Sequence, residues 1–310
     1  MQQFSALMTR PRHPVLIVNP RSGGGKAKRF GLVNECVARG IEPVVFERGD
    51  DLLGVAAAAV SRGADAIGVA GGDGSQALVA TVASQHDIPY VCVPAGTRNH
   101  FAFDVGVDRD DLVGALDAFA DGSERRIDLA RVNGRVFINN ASLGLYAKIV
   151  QSEDYRNAKL ETVARMLPDL LPPRAAPFDL RFAAPDGRRW EGAQLVLVSN
   201  NAYRMPRLGA SGNREGLDSG ELGVIAARVV NPEELLTLIS TELTGAVPGS
   251  PGWLDFTTPV FTIDAGEPVD VALDGEPFAL DPPLRFESLP SALRIRVLPS
   301  RNPRNSIRSP

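Results

Sequence analysis

Cysteine, histidine and aromatic residues are scarce in this 310-residue chain, and long apolar runs are missing. Its two cysteines, Cys36 and Cys92, lie in apolar or helical surroundings and form neither a disulfide framework nor a metal cluster. Three histidines occur (His13, His86 and His100), none in an H-x-x-x-H pair, which argues against a zinc hydrolase. No stretch approaches the roughly 18 apolar residues that a membrane span needs. The net charge of −4 supplies no general basic field, so nucleic acid is not expected as a partner. Met1–Pro14 carries Arg10, Arg12 and two prolines but no continuous apolar core, and does not read as a signal peptide. The cytoplasm is the expected location, with peripheral contact with a bilayer left open.

What is present is ordinary for a globular protein: 44% hydrophobic and 23% charged residues, in a chain long enough for two cored domains. Over residues 13–128, apolar strands alternate with helices. Val15–Val18, Pro43–Phe46, Ala66–Ala70 and Pro89–Val93 read as strands, and Lys26–Arg39, Leu52–Arg62, Gln76–Val82 and Asp110–Ala120 as helices. Strands that are apolar throughout imply a parallel sheet covered on both faces. Beyond Arg126 the pattern changes to short strands: Arg135–Asn139, Phe178–Ala183, Ala193–Ser199, Leu222–Ala227, Val260–Asp264, Val269–Leu273 and Ala292–Val297. Asp186-Gly187 and Asp274-Gly275 are hairpin signals. Helices are expected only at Asp154–Leu167 and Pro232–Leu243. The expected architecture is therefore an α/β domain over 13–128, a β-sandwich-like domain over 129–298 and a disordered tail over 299–310.

Three polar loops follow apolar strands of the first domain. Asn19-Pro20-Arg21-Ser22-Gly23-Gly24-Gly25-Lys26 resembles a phosphate loop but is no Walker A motif, because Pro20 stands where its first glycine belongs and Ala27 follows the lysine. Gly71-Gly72-Asp73-Gly74-Ser75 joins a strand to a helix, where glycines let backbone N–H groups approach an anion and the helix adds its N-terminal dipole. Asp73 would hold the Mg²⁺ that accompanies a nucleotide, or order water around it. Pro94-Ala95-Gly96-Thr97-Arg98-Asn99 lies at the same sheet edge, where open α/β sheets bind ligands. For the first and third loops alone a plain βα turn is an equal alternative, whereas at Gly71–Ser75 strand–helix packing explains the glycines but leaves Asp73 unexplained; the coincidence of the three carries the functional reading. In the second half, Leu273-Asp274-Gly275-Glu276 is either a hairpin turn alone or a general base with its orienting carboxylate. Asp218 and Glu221 offer oxygen ligands to a divalent cation, or form a solvated turn.

Together these motifs resemble the diacylglycerol kinase catalytic-domain family, in particular its soluble bacterial lipid kinases, related to sphingosine kinases. The resemblance runs over about residues 13–298 through Asn19–Gly23, Gly71–Ser75, Pro94–Asn99 and Leu273–Glu276. It implies a kinase that uses ATP and Mg²⁺, with the nucleotide in a cleft between an α/β domain and a β-sandwich. It also implies a nucleotide site made by Asn19, Pro20, Ser22, Gly71, Gly72, Asp73, Gly74, Ser75, Gly96, Thr97 and Asn99. Glu276 would accept the proton of a lipid hydroxyl, with Asp274 beside it. In the sphingosine-kinase branch the glycine-motif aspartate competes for that role, so Asp73 stays a second candidate base. Asp218 would mark a structural metal site. Three positions depart from the family pattern: Ser75 for threonine, His100 for aspartate and Ser219 for a second aspartate. The implied acceptor is diacylglycerol or a related lipid alcohol, and a homodimer is left open. Leu167–Leu171 and Met205–Leu208 are candidate membrane-touching loops, with core packing as the alternative. Two rivals remain: an NAD kinase-like enzyme, which also carries a Gly-Gly-Asp-Gly loop, and a catalytically silent nucleotide- or lipid-binding regulator.

Overall fold

The structure is a computed structural model that describes residues 10–144, 147, 178–204, 213–214, 216–228 and 252–298. Its contacts divide the chain into Met1–Leu129 with Ser291–Pro310, and Ala130–Pro290.

The first unit begins with β1 (Pro14–Val18), α1 (Ser22–Arg29), α2 (Leu32–Ala38), β2 (Glu42–Val45), α3 (Leu52–Ser61) and β3 (Ala66–Gly71). It continues through α4 (Asp73–Gln85), β4 (Tyr90–Pro94), α5 (His100–Asp104), a 3₁₀ turn at Gly114–Asp117 and α6 (Ala118–Asp121). Strands β2-β1-β3-β4 pair in that order and all in parallel. Every residue of β1, β3 and β4 is buried, which is why these segments are apolar on both faces rather than alternating.

β5 (Ser123–Val132) then crosses into the second unit, which holds β6 (Arg135–Phe137), β7 (Asn140–Gly144), β8 (Arg181–Ala183), β9 (Arg189–Glu191), β10 (Leu195–Asn200) and β11 (Tyr203–Arg204). After these come β12 (Asn213–Arg214), β13 (Leu222–Ala227), β14 (Trp253–Thr258), β15 (Val260–Ile263), β16 (Val269–Leu273), β17 (Glu276–Leu280) and β18 (Leu284–Val297). Six of them form an antiparallel sheet in the order β14-β13-β10-β7-β16-β17. Its Leu143, Val198, Val224 and Val271 share one buried cluster with Phe137, Phe261 and Phe286 from strands outside that sheet. The unit is therefore sandwich-like, and Phe261 lies at its centre, 5.1 Å from the Phe182 ring and 6.1 Å from that of Phe286.

Several elements differ from the sequence reading. The single helix expected at Lys26–Arg39 is two helices, because Gly31 adopts φ 58° and ends the first after Arg29. The helix after the glycine run starts at Asp73 rather than Gln76. The helix expected at Asp110–Ala120 shrinks to the 3₁₀ turn and α6, with Asp111 accepting from the Gly114 N–H at 2.7 Å. Strands β5, β7, β9, β11, β12, β14 and β17 are additional, and β18 begins at Leu284 rather than Ala292. The end of β18 pairs in parallel with β4 (Ile295 with Tyr90), so the chain from Ser291 groups with the first unit, not with the 129–298 domain read from the sequence. The helices expected at 154–167 and 232–243, the loops at 167–171 and 205–208 and the tail at 299–310 lie outside the described residues.

Candidate functional site

In the first unit the three loops after β1, β3 and β4 meet at the carboxyl ends of their strands. Backbone contact brings them together. The Ala95 and Gly96 N–H groups both donate to Gly71 O, at 3.2 and 3.1 Å. A Cβ on Gly96 would stand 2.4 Å from the Gly72 Cα, so only glycine allows the second and third loops to touch here. Gly23, at φ 56°, is bound in the same way: a Cβ would lie 2.3 Å from Ala95 O. Lys26 closes the remaining side by donating from Nζ to Gly96 O at 3.1 Å. Asn19 turns the first loop, its Oδ1 accepting from the Arg21 N–H at 3.1 Å and its carbonyl from the Ser22 N–H at 3.3 Å. Pro20, Ser22, Gly72, Gly74 and Ser75 are half-buried around this junction, and Thr97 is exposed.

Helix α4 opens into this junction from Gly72, with no side chain capping its first turn. The leading N–H groups of a helix have no partner within the helix and carry its positive dipole end. Glycines on both sides leave room for a group to approach them. Main-chain N–H groups arranged in this way are chemically suited to an anion.

Asp73 and Asn99 have specific tasks. Both oxygens of Asp73 accept main-chain N–H groups, Oδ2 from His100 at 3.2 Å and Oδ1 from Phe101 at 3.0 Å. The carboxylate thus caps α5 and fastens the loop after β4 to the start of α4. Asn99, 4% exposed and at φ 53°, accepts from the Gly96 N–H at 2.9 Å and donates to Pro94 O and Gly96 O at 3.2 and 3.0 Å. Its amide therefore folds its own loop.

In the second unit Asp274 and Glu276 part company. Asp274 and Gly275, at φ 49° and 89°, form the two-residue turn between β16 and β17. The Asp274 carboxylate turns inward: Oδ2 accepts from the Ile138 N–H at 2.9 Å, and Oδ1 from the Asn139 and Asn140 N–H groups at 2.8 and 3.2 Å. Glu276 is exposed, opposite Leu273 in register, and its carboxylate has no hydrogen bond or ion pair among the described residues. Asp218 is exposed too, on the turn before β13, where the Ser219 hydroxyl accepts from the Glu221 N–H at 3.3 Å. Among the described residues no three His, Cys, Asp or Glu side chains are grouped as a metal site, around Asp218 or elsewhere.

Sequence reading missed two groups of residues. Gln76, 2% exposed, donates from Nε2 to Val69 O, Gly71 O and Val93 O, tying β3, β4 and α4 together, and accepts from the Tyr90 hydroxyl. Burial pushes the Tyr90 hydroxyl well above its ordinary range, so it stays a neutral donor. A lone glutamine opening an otherwise apolar helix was the available signal. The second group is a buried polar cluster of Asn139, Asn200, Asn201 and Arg214. The Asn-Asn pairs at 139–140 and 200–201, each beside an apolar strand, were its signal. Nothing in the sequence marked Arg214. Burial also keeps both cysteines as thiols, raising Cys36 to about 11 and Cys92 well above its ordinary value.

The diacylglycerol kinase catalytic domain family model matches residues 13–132. A probable YegS-like lipid kinase of Pseudomonas aeruginosa is 30% identical over 282 residues, covering 90% of this chain and 83% of its own length. A diacylglycerol kinase of Mycobacterium tuberculosis is 31% identical over 297 residues, covering 90% of this chain and 93% of its own. The crystal structure of a diacylglycerol kinase from Bacillus anthracis superposes with a TM-score of 0.67 at 20% identity, over 94% of this chain and 99% of the other. At that identity the likeness concerns the fold.

Proposed function

This chain belongs to the diacylglycerol kinase catalytic-domain family, among lipid kinases, and from that premise we propose that it transfers the γ-phosphoryl group of ATP to the hydroxyl of a lipid alcohol, diacylglycerol or a related lipid. The observation that carries the reading is the open start of α4, where glycines of three loops leave uncapped main-chain N–H groups beside Asp73. That arrangement fits the phosphates of a nucleotide. Asn19, Pro20, Ser22, Gly71–Ser75, Gly96 and Thr97 would line the nucleotide site, and Asn99 would hold its loop in shape.

Mg²⁺, when bound with ATP, would neutralise charge developing on the transferred group. The donor set suits it in one respect: each Asp73 oxygen spends one lone pair on a backbone N–H and keeps another for a metal-bound water. Asp218 as a separate metal ligand has no such support, since it lacks grouped carboxylate partners among the described residues.

In the proposed step the lipid oxygen forms a bond to the γ-phosphorus, the bond from that phosphorus to the β–γ bridging oxygen breaks, and ADP leaves. The hydroxyl proton passes to Glu276. Glu276 is preferred over Asp73 as the base because Asp73 is occupied in capping α5, whereas Glu276 carries no competing partner among the described residues. Asp274 sets the turn that bears it. No helix among the described residues is long and apolar enough to cross a membrane.

The test is ADP release from Mg²⁺–ATP with and without dispersed lipid, followed by labelled ATP offered against a lipid extract and mass identification of the product. Lipid-stimulated release and a phosphorylated lipid are expected. Release that depends on NAD instead would assign the chain to NAD kinase-like chemistry. Tight ATP binding without turnover on either acceptor would assign it to a silent regulator.

A further inference from the structure

The buried guanidinium of Arg214 lies on the short strand β12, only 5% exposed. Its Nη1 donates to Ile138 O at 2.6 Å and to Asn200 O at 2.9 Å, and its Nη2 to Asn139 Oδ1 at 3.0 Å. Asn200 adds to the same segment, with Nδ2 donating to Ile138 O at 3.1 Å and its N–H to Asn139 O at 2.9 Å. The N–H groups of 138, 139 and 140 are the three that donate to Asp274, while the Asp274 N–H donates back to Asn140 O at 2.9 Å. One three-residue stretch thus has two of its acceptors, Ile138 O and Asn139 Oδ1, held by a cation and all three of its N–H donors held by an anion.

Burying a guanidinium carries a large desolvation penalty, and well-packed apolar side chains can hold strands together without it. Here the charge polarises the peptide between Ile138 and Asn139, whose carbonyl meets Arg214 and whose N–H meets Asp274, and Asp274 shapes the two-residue turn next to Glu276. Peptide groups between opposite charges strengthen one another's hydrogen bonds.

We propose that Arg214 is a positioning residue for phosphoryl transfer, setting Glu276 through the segment Ile138–Asn140 and the Asp274 turn. The inference rests on the reading of Glu276 as the proton acceptor. Arg214 touches no reacting atom in this scheme. A misplaced base weakens the reaction without weakening nucleotide binding, and a displacement near 1 Å costs on the order of 10²-fold in rate.

The experiment uses the full chain. Arg214→Lys keeps the charge but loses the planar fork. It is expected to lower kcat for lipid-stimulated ADP release by about tenfold to a hundredfold with the KM for ATP unchanged. Combined with Asp274→Asn, the loss should be no greater than that of the more damaging single change, because both act through one relay. Asn139→Ala, which deletes one contact of the same relay, serves if Arg214→Lys does not fold, with a smaller kcat loss in the same direction expected. A wild-type kcat in the foldable variant, strictly additive losses, or a rise in the KM for ATP with kcat intact overturns the proposal. If the wild-type protein shows no lipid-stimulated turnover, the lipid-kinase reading itself fails. The relay is then read by hydrogen exchange: faster exchange of the amides of 138–140 and the 273–276 turn is expected, and unchanged protection overturns it.

Discussion

Asp73 and Asp274 are both carboxylates that hold backbone, yet the regions around them are built in opposite ways. In the first unit the site is main chain: three loops touch through Gly23, Gly71, Gly72 and Gly96, and Asp73 adds two hydrogen bonds at the start of α5. In the second unit the turn is carried by side chains: Asp274 takes three N–H groups, and Arg214, Asn139 and Asn200 fill the space behind them. A main-chain site follows from the geometry of strand ends and tolerates few added atoms. A side-chain site follows from a buried polar network, which is strong when complete and costly when one member goes missing. The first design suits an anion that must be met by many N–H groups. The second suits one carboxylate that must be aimed.

The largest expected effect separates aim from architecture. Glu276→Gln should fold with an unaltered melting transition and bind Mg²⁺–ATP, while losing about 10²–10⁴-fold in phosphoryl transfer. Near-normal turnover would remove Glu276 as the base and bring Asp73 forward. Gly96→Ala tests the main-chain site by adding a Cβ 2.4 Å from the Gly72 Cα and 2.6 Å from Asn99 Oδ1. Overpacking of this kind costs about 1–3 kcal/mol, and nucleotide affinity measured by calorimetry should fall with it. If ATP binds the variant normally, the loop junction does not form the nucleotide site.

Asp274→Ala and Asp73→Ala compare the two carboxylates directly in urea unfolding. Each leaves backbone N–H groups without their acceptor at about 1–3 kcal/mol, with Asp274 toward the upper end because it serves three donors rather than two. Equal losses would contradict the contrast drawn between the regions. The smallest effect is expected at the opposite end of the first sheet, where His13 Nε2 and Glu42 Oε2 lie 2.6 Å apart. The Glu42 hydrogen bond raises the His13 pKa, and the His13 hydrogen bond lowers that of Glu42. The histidine contribution is complete below its unfolded value and fades as pH rises through its raised folded one. The glutamate contribution is complete above its unfolded value and fades as pH falls through its lowered one. The pair therefore stabilises most between those limits. Both side chains are 39% exposed, so solvent screens the gain. An NMR titration of His13 should give a raised midpoint that falls in Glu42→Gln, with Asp274 and its turn unaffected.

Much of the loop junction in the first unit was legible before the fold was known. Gly71–Ser75 and Pro94–Asn99 follow strands whose apolar runs are unmistakable, and strand ends of a parallel sheet fall on one edge by topology. The Asp274-Gly275 turn was equally plain, because few sequences suit two successive positive φ angles. The split of the helix at Gly31 was harder to see, since a glycine inside a helical pattern can be tolerated or can stop it. Strands β5 and β17 open on charged or proline-containing segments, Ser123-Glu124-Arg125-Arg126 and Glu276-Pro277, that carry no strand signature. β17 can hold Pro277 because it lies at the edge of its sheet.

Residue chemistry and local order along the chain determined the family, the change from parallel α/β to antiparallel β, and which loops and carboxylates are candidates for the site. Those properties are written in short-range patterns: apolar periodicity, glycine placement and turn chemistry. Only the tertiary structure decided what each polar group is occupied with. Asp73, expected to hold Mg²⁺ or order water around it, also caps α5; Asp274, expected beside Glu276, also grips Ile138–Asn140. Arg214 carried no signal at all and is a buried member of that network. Hydrogen-bond partners 136 residues apart, as Ile138 and Asp274 are, become neighbours only when strands pair, and a side chain's free valence is what remains once those bonds are made.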